Sequence, residues 1–251
     1  MKQRFYAWCL CVITTLTVTP ASAEHVLVAV AANFVPPFRE IAIEFETVTG
    51  HTLRVAAGSS GNFYSQIKNG APFDLFLSAD VERPKLLESE GLGVKDSRFT
   101  YAIGRLTLWS PNPDLVKGEQ TLRSERFKHL VIANPKTAPY GVAAMQTMQK
   151  LEVWENMQPR IVMGENLGQT MGFIESGNAE LGFVALSQVI DPKLKGKGSR
   201  WDVPSHLHEP IKQDAILLTK GKENAAAKAL MEFLGGPKSK TIIERYGYEL
   251  N

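Results

Sequence analysis

The chain alternates short apolar runs with longer segments whose apolar residues recur at helical spacing. The first run, Val26–Ala31, is typical of a buried strand, and Phe38, Ile41 and Phe45 then mark the buried face of a helix that ends at Gly50. A strand, a helix and a second strand in this order favour parallel pairing, because the helix serves as the crossover. The pattern therefore predicts an α/β fold whose mostly parallel sheets are flanked by helices.

The same alternation continues to the end of the chain. Further strands are predicted at Thr52–Ala57, Phe73–Asp80, Ile103–Trp109, His129–Ala133, Leu181–Leu186 and Ala215–Thr219. Further helices are predicted at Ser59–Gly70, Pro84–Ser89, Val142–Leu151, Gln169–Ile174, Glu223–Leu234 and Lys238–Tyr246. The polar stretch Asp191–Pro210, which contains Lys, Gly and Pro, is predicted to be a loop.

The first 23 residues have the pattern of a secretory signal peptide. Lys2 and Arg4 precede an apolar, uncharged stretch that runs to Thr19, which is too short to span a bilayer as a helix. An Ala-Ser-Ala sequence follows, and it predicts cleavage after Ala23. We therefore expect a soluble exported protein.

Removal of this segment narrows the functions that remain open. Cys9 and Cys11 both lie within it, so the remaining 228 of the 251 residues would hold neither a disulfide nor a thiolate metal site. Loss of Lys2 and Arg4 reduces the 28 basic residues to 26, which equals the number of acidic ones. A chain without net charge lacks the electrostatic signature of a nucleic-acid-binding protein, and no other apolar run reaches transmembrane length.

The search for a catalytic motif yields weak candidates. Gly58–Gly61 resembles a nucleophile elbow around Ser60, but the second glycine of that motif would have to be residue 62, which is Asn. His206 and His208 have a spacing that could chelate a metal, yet they lie in a polar segment without supporting ligands, which favours a solvated loop. An exported hydrolase that uses Ser60 remains an alternative without a visible general base or orienting acid.

Small, hydroxyl or amide residues recur where predicted strands pass into predicted helices. They occur at Ala32-Asn33, Ser59-Ser60, Pro139-Tyr140-Gly141 and Asn166-Leu167-Gly168. Each could simply cap its helix. However, a helix N-terminus presents free N–H groups and a partial positive potential, and ligands of open α/β sheets gather beyond the carboxyl ends of the strands. Together the four helix starts predict an anion site, in which Asn33 both caps its helix and donates an amide hydrogen to the ligand.

The scarcity of charge at these places indicates the kind of anion. None of the four segments contains Arg, and Lys136 is the nearest cation in the sequence. Neutral N–H and O–H donors suit a fully ionised oxyanion and disfavour a protonated one, whose hydroxyl needs an acceptor. Glu165 could be such an acceptor, but it neighbours one of the segments rather than forming part of it.

Five longer stretches carry a resemblance to a known family: VAVAANF, GSSGNFYSQIKNGAPFDLFLSAD, NPKTAPYG, NAELGFVAL and FLGGPKSKTIIERYGYEL. They are similar to the periplasmic molybdate-binding proteins of ABC importers, which have the type II solute-binding fold. The resemblance covers essentially the whole mature chain. It implies two lobes joined by a hinge, with residues 24–104 and 214–251 in one lobe and 105–213 in the other. It also implies a monomer without enzymatic activity or cofactor, whose partners are an ABC permease and its ATPase.

The resemblance further implies a ligand and the residues that bind it. The ligand is molybdate or tungstate, held as an intact oxyanion by Asn33, Ser60, Tyr140 and Leu167, so that no side chain coordinates the metal directly. Ala185 stands where some members of the family have a tyrosine, and Tyr140 stands where other members have one.

Other solute-binding functions remain open from the sequence. A binding protein for a different oxyanion, such as sulfate or chromate, could use the same neutral donors. A binding protein for Fe³⁺ would require a pair of tyrosines with carboxylates, and Tyr246 and Tyr248 are predicted to lie in the C-terminal helix region, outside the cleft.

Overall fold

The structure is a computed structural model that describes residues 24–190, 194 and 196–250. The predicted signal peptide lies outside these residues. The described strands are β1 (His25–Ala31), β2 (Thr52–Gly58), β3 (Leu75–Leu77), β4 (Phe99–Gly104), β5 (Leu106–Ser110), β6 (Leu130–Ala133), β7 (Ile161–Gly164), β8 (Leu181–Ala185), β9 (Ser199–Asp202) and β10 (Ile211–Leu217). The described α-helices are α1 (Val35–Thr49), α2 (Ser60–Lys68), α3 (Glu82–Ser89), α4 (Pro139–Lys150), α5 (Trp154–Met157), α6 (Leu167–Glu175), α7 (Leu186–Val189), α8 (Ala225–Gly235) and α9 (Pro237–Arg245).

The strands form two five-stranded sheets of the same design. The first sheet has the order β2-β1-β3-β10-β4, in which β1 is parallel to both neighbours and β10 is antiparallel to both. The second has the order β7-β6-β8-β5-β9, in which β6 is parallel to both neighbours and β5 is antiparallel to both. We call the first sheet with α1–α3, α8 and α9 the first lobe, and the second sheet with α4–α7 the second lobe. The predicted α/β class is confirmed.

Helices cover both faces of each sheet because side chains of a strand point alternately to its two faces. In β1, Val28 and Val30 pack in the cluster that contains Phe38 of α1, whereas Ala29 belongs to the opposite cluster with Phe63 of α2. Strands buried on both faces read as continuous apolar runs, which explains the pattern at the start of the chain. Removal of this apolar surface from water is the main stabilising contribution.

Helix α1 begins and ends as the sequence predicts. Proline occupies its first turn, where a missing N–H leaves no intrahelical bond unmade. At its end Gly50 adopts a left-handed conformation (φ 72°), and its N–H donates to the Glu46 carbonyl at 2.9 Å. Within the described residues, no helix combines the length and the apolar character needed to cross a membrane.

Two predictions from the strand pattern are wrong. The predicted strand Ile103–Trp109 is in fact two strands, because the chain leaves the first sheet after Gly104 and enters the second at Leu106. Both parts are apolar, so periodicity could not reveal the change of sheet. The predicted loop Asp191–Pro210 contains β9, which pairs with β5 at the edge of the second sheet. Its polar sequence fits an edge position, where one side of the strand remains unpaired.

The chain returns to the first sheet earlier than predicted. Strand β10 begins at Ile211, and Ile211, Lys212 and Gln213 pair with Gly104, Ile103 and Ala102 of β4. These three residues precede the predicted lobe boundary at residue 214 but belong to the first sheet. The division into residues 24–104 plus 214–251 and residues 105–213 otherwise stays a prediction.

Candidate functional site

A cavity between the two lobes lies beyond the carboxyl ends of β1 and β2 on one side and of β6 and β7 on the other. The empty space measured there, about 210 Å³, includes part of its opening to solvent. Asn33 and Ser60 line it from the first lobe, and Tyr140 and Leu167 line it from the second. The four residues singled out in the sequence are thus brought together. In the described part of the chain, every residue that lines this cavity is uncharged.

Each of the four residues lies at the start of a helical segment. Ser60 and Leu167 are the first residues of α2 and α6, and Tyr140 is the second residue of α4. Asn33 lies in the 3₁₀ turn of residues 32–34 that leads into α1. The first N–H groups of a helix have no partner within it, and the helix dipole adds a partial positive charge there. The cavity is therefore surrounded by N–H donors of a kind that bind anions.

Ser60 presents a hydroxyl donor as well as its backbone. Its Oγ accepts a hydrogen bond from the N–H of Ala79 at 2.8 Å, and the side chain is buried. Because the oxygen acts as acceptor in this bond, the hydroxyl hydrogen is left to point at a ligand. The neighbouring Ser59 caps α2 by accepting from the N–H of Asn62 at 3.4 Å.

A side-chain cap fixes the start of α6 without using the N–H of Leu167. The Oδ1 atom of Asn166 accepts from the N–H of Gly168 at 2.8 Å and from that of Gln169 at 3.1 Å. This cap holds the first turn of the helix while the N–H of Leu167, one residue earlier, takes no part in it.

A buried glutamine supports the same helix start, and sequence reasoning missed it. Gln188 donates from Nε2 to the carbonyl oxygen of Leu167 at 3.0 Å, and its Oε1 accepts from the N–H of Ala185 at 3.1 Å. The position where some relatives were expected to carry a tyrosine is therefore a buried alanine whose backbone anchors this glutamine. A lone amide in the apolar stretch FVALSQVI was the signal available in the sequence.

The predicted capping role of Asn33 is wrong. Ala31 and Phe34 occupy the cap positions of the 3₁₀ turn and of α1, and neither helix start has a side-chain cap bond. The Nδ2 group of Asn33 instead donates to Oε1 of Gln213 at 2.8 Å and to the hydroxyl of Tyr248 at 3.1 Å. Both amide hydrogens are thus engaged with residues 180 and 215 positions later in the chain, a pairing that no local pattern encodes.

The tyrosines near the site are buried and neutral. The hydroxyl of Tyr140 accepts from Nε2 of Gln213 at 3.3 Å, and burial raises the pKa of Tyr140 well above its ordinary value. Tyr248 was predicted to lie outside the cleft, but its hydroxyl donates to the carbonyl of Asn33 at 2.8 Å, directly behind the cavity lining. Burial raises the pKa of Tyr248 to about 12. The sequence could not reveal this contact, because Tyr248 reaches the site from the far end of the chain.

Known proteins share this sequence and architecture. The family model for bacterial extracellular solute-binding proteins matches residues 26–249. The chain belongs to this family. The molybdate-binding protein ModA of Azotobacter vinelandii is 54% identical over 232 residues, which cover 92% of either chain. That of Rhodobacter capsulatus is 51% identical over 229 residues, which cover 91% of this chain and 90% of the relative.

A solved structure agrees with the sequence comparison. The periplasmic molybdate-binding protein of Azotobacter vinelandii superposes with a TM-score of 0.87 at 41% identity, covering 90% of this chain and 99% of that chain. The predicted two-lobe solute-binding fold is thereby confirmed.

The lobes of this solute-binding protein contact each other beside the cavity, through residues that adjoin its lining residues Ser60 and Ala138 in the chain. The N–H of Gly61 donates to the carbonyl of Thr137 at 2.8 Å, and a Cβ on Gly61 would lie 2.9 Å from the Thr137 Cα, so this approach requires glycine. Nearby, Arg83 pairs with Asp80 and reaches the carbonyl of Lys136 at 3.4 Å. Arg83, Lys136 and Glu165 are not among the residues that line the cavity.

The described residues give no support to the metal-binding or the hydrolase alternative. In the part of the chain that the structure describes, no group of three or more His, Cys, Asp or Glu side chains could hold a metal ion. The solvated-loop interpretation is wrong for His208, which is buried, with Nδ1 2.7 Å from the carbonyl of Glu209. Ser60, the nucleophile of the hydrolase alternative, accepts from the N–H of Ala79, and no histidine is among its hydrogen-bond partners in the described part of the chain.

Proposed function

We propose that this protein is the periplasmic solute-binding component of an ABC importer and that it captures molybdate or tungstate in the cavity between its lobes. The observation that carries the proposal is the convergence of four helix starts from both lobes on one small cavity lined by uncharged residues. The molybdate-binding relatives at 54% and 51% identity support the choice of ligand.

The oxyanion is held by N–H and O–H donors alone. Ser60 provides its hydroxyl and its N–H, and Tyr140 and Leu167 provide backbone N–H groups. Asn33 provides its backbone N–H, because both hydrogens of its side-chain amide are engaged with Gln213 and Tyr248. Hydrogen bonds to a charged group contribute about 1.5–3 kcal/mol each, so a few donors in a buried site suffice for tight binding.

Two kinds of selectivity follow from this donor set. A fully ionised oxyanion can accept from every donor, whereas a protonated anion such as hydrogen phosphate has a hydroxyl that finds no acceptor carboxylate in the lining. Discrimination among fully ionised tetrahedral anions depends on cavity size, and here the proposal of molybdate and tungstate over sulfate and chromate rests on the relatives.

The lobes close around the oxyanion by a hinge at the two crossovers between the sheets. Closure completes the site, because Asn33 and Ser60 belong to one lobe and Tyr140 and Leu167 to the other. The protein is made with a signal peptide that is cleaved after Ala23, acts in the periplasm as a monomer, and delivers the oxyanion in its closed form to the permease and its ATPase.

The test is titration calorimetry of purified residues 24–251 with molybdate, tungstate, sulfate, phosphate and chromate. We expect tight binding of molybdate and tungstate, weak binding of sulfate and no measurable binding of phosphate. Sulfate or chromate binding as tight as that of molybdate would contradict the choice of ligand. Absence of binding to all five anions would contradict the class of function.

A further inference from the structure

Gln213 is a fully buried amide that contacts residues on both sides of the cavity. It lies on β10, the strand by which the chain returns to the first sheet. Its Oε1 accepts from Nδ2 of Asn33 at 2.8 Å, and its Nε2 donates to the hydroxyl of Tyr140 at 3.3 Å. Asn33 lines the cavity from the first lobe and Tyr140 from the second, so one side chain joins the two halves of the site.

The backbone makes specific room for this contact. Gly104 is the last residue before the chain first passes from one sheet to the other. A Cβ at this position would clash with the hydroxyl oxygen of Tyr140 and would lie 2.5 Å from Nε2 of Gln213. Such distances are not possible, so the contact depends on glycine here. Strand β4, which ends at Gly104, and strand β10, which carries Gln213, therefore both determine the geometry of the contact between Gln213 and Tyr140.

A second pair of contacts joins the lobes beside the first. Ser187, on α7 of the second lobe, donates from Oγ to the carbonyl of Asn33 at 2.8 Å, and the same Oγ lies 3.0 Å from the hydroxyl of Tyr248 in the first lobe. We call the contacts Gln213–Tyr140, Ser187–Asn33 and Ser187–Tyr248 the interlobe network. All its members are buried, with at most 5% of any of them exposed.

The interlobe network exists only while the lobes are together. Each of its contacts joins a first-lobe group to a second-lobe group, so separation of the lobes breaks all three at once. In a closed protein these groups are shielded from water, and a donor without its partner there is more costly than a donor that water can reach. The Gln213–Tyr140 contact lies beside both passages of the chain between the sheets, since Gly104 ends β4 and Gln213 lies near the start of β10.

We propose that the interlobe network, with Gln213 as its positioning residue, holds the lobes closed over the bound oxyanion and thereby slows its release. This inference rests on the proposed function. In this proposal the side chains of Asn33 and Tyr140 stabilise the closed state, and only their backbone N–H groups contact the ligand.

The direct test is the dissociation rate of molybdate measured by stopped flow. Tyr140→Phe removes one hydroxyl and keeps the ring and the backbone N–H. We expect it to release molybdate about tenfold faster, with the association rate within about twofold of the unmodified protein. Gln213→Met should have an effect of similar size. The double variant should accelerate release by less than the product of the two single effects, because both substitutions remove the Gln213–Tyr140 contact.

Tyr101→Phe is the matched control. The hydroxyl of Tyr101 also contacts Oε1 of Gln213, at 3.0 Å, and its other contact is the carbonyl of Ser78, so both partners lie in the first lobe. This variant makes the same chemical change without touching a contact between lobes. We expect it to lower the melting temperature of the ligand-free protein and to leave the dissociation rate unchanged.

Ser187→Ala removes an independent part of the interlobe network. It provides the test if Tyr140→Phe fails to fold. It should accelerate release severalfold. Unchanged dissociation rates in both Tyr140→Phe and Ser187→Ala, or equal acceleration by Tyr101→Phe, would overturn the inference while leaving the proposed function intact. Absence of molybdate binding by the unmodified protein would overturn both.

Discussion

The two halves of the cavity present the same kind of donor with very different side chains. In the first lobe, Ser60 combines a helix-start N–H with a hydroxyl whose oxygen is fixed by the N–H of Ala79. In the second lobe, Leu167 and Tyr140 occupy corresponding helix starts, but one side chain is apolar and the other has its hydroxyl on Gln213. Position at a helix start therefore decides, more than side-chain type does, which residues can bind the anion.

Capping differs between the halves in a complementary way. The cap of α6 consists of two bonds from Asn166 at 2.8 and 3.1 Å, whereas Ser59 caps α2 through a single bond of 3.4 Å. The second-lobe half, which offers backbone N–H groups alone, therefore has the more firmly capped helix start. The half with the weaker cap has the additional hydroxyl of Ser60.

Removal of a backbone N–H from the second-lobe half should have the largest effect. Leu167→Pro does so at the first position of a helix, where proline is tolerated and where Asn166 already has an extended backbone. We expect molybdate affinity to fall at least about 100-fold, because a hydrogen bond to a charged group is lost and the ring occupies its place. Calorimetry gives the affinity and circular dichroism confirms the fold.

Leu167→Ala is the control for that change, since it keeps the N–H and removes only the apolar side chain. Its affinity should remain within about threefold of the unmodified protein. If the alanine variant lost as much affinity as the proline variant, the side chain of Leu167 and not its backbone would be responsible.

In the first-lobe half, the side chain of Ser60 should contribute to molybdate affinity. Ser60→Ala removes a hydroxyl donor, and we expect affinity to fall about 10- to 100-fold. The variant also leaves the N–H of Ala79 without its partner, which should reduce the free energy of unfolding by about 1–3 kcal/mol. Ser65→Ala, at an exposed position of the same helix, is the matched control and should change neither quantity. Unchanged affinity in Ser60→Ala would mean that the halves do not differ in this respect.

A smaller effect is expected from loosening the helix start of the second lobe. Asn166→Ala removes both cap bonds of α6 and should reduce the free energy of unfolding by about 0.5–2 kcal/mol. Affinity should fall about fivefold, since the N–H of Leu167 remains but is held less firmly. Denaturant titration and calorimetry measure the two effects. Asn178→Ala, at an exposed site beyond the end of this helix, should leave both values unchanged.

The smallest effect should be that of pH. No residue that lines the cavity in the described part of the chain titrates near neutrality, and burial keeps the hydroxyl of Tyr140 protonated by raising its pKa. Molybdate affinity should therefore vary less than about twofold between pH 6 and 9, and calorimetry across that range would detect a larger change.

Stability should respond to pH only in strong base. Burial raises the folded-state pKa of Tyr101 and Tyr140 well above the ordinary value, and that of Tyr248 to about 12. Because the raised pKa values favour the neutral form in the folded state, the contribution of these tyrosines to stability is fully present below about pH 10, and that of Tyr248 is lost as pH rises through about 12. Denaturant midpoints measured from pH 8 to 12 should fall only in the upper half of that range.

The sequence predicted the helix starts well because the relevant signals are local. Ser60 and Leu167 follow cap residues and precede a helical apolar pattern, so their place at the ends of strands could be inferred without tertiary information. The partners of Asn33 could not, since Gln213 and Tyr248 lie in distant elements that meet only after folding. For the same reason the change of sheet after Gly104 escaped prediction, because apolar periodicity reports burial but not which sheet a strand joins.

We propose that the oxyanion is bound between the lobes by neutral donors from both of them. Diffraction from crystals grown with molybdate, using the anomalous signal of molybdenum, tests it directly. We expect one strong peak in the cavity, with oxygen atoms about 2.7–3.2 Å from the Ser60 hydroxyl and from the backbone N–H groups of Asn33, Tyr140 and Leu167. A peak outside the cavity, or an oxyanion held by Arg83 or Lys136, would contradict the account.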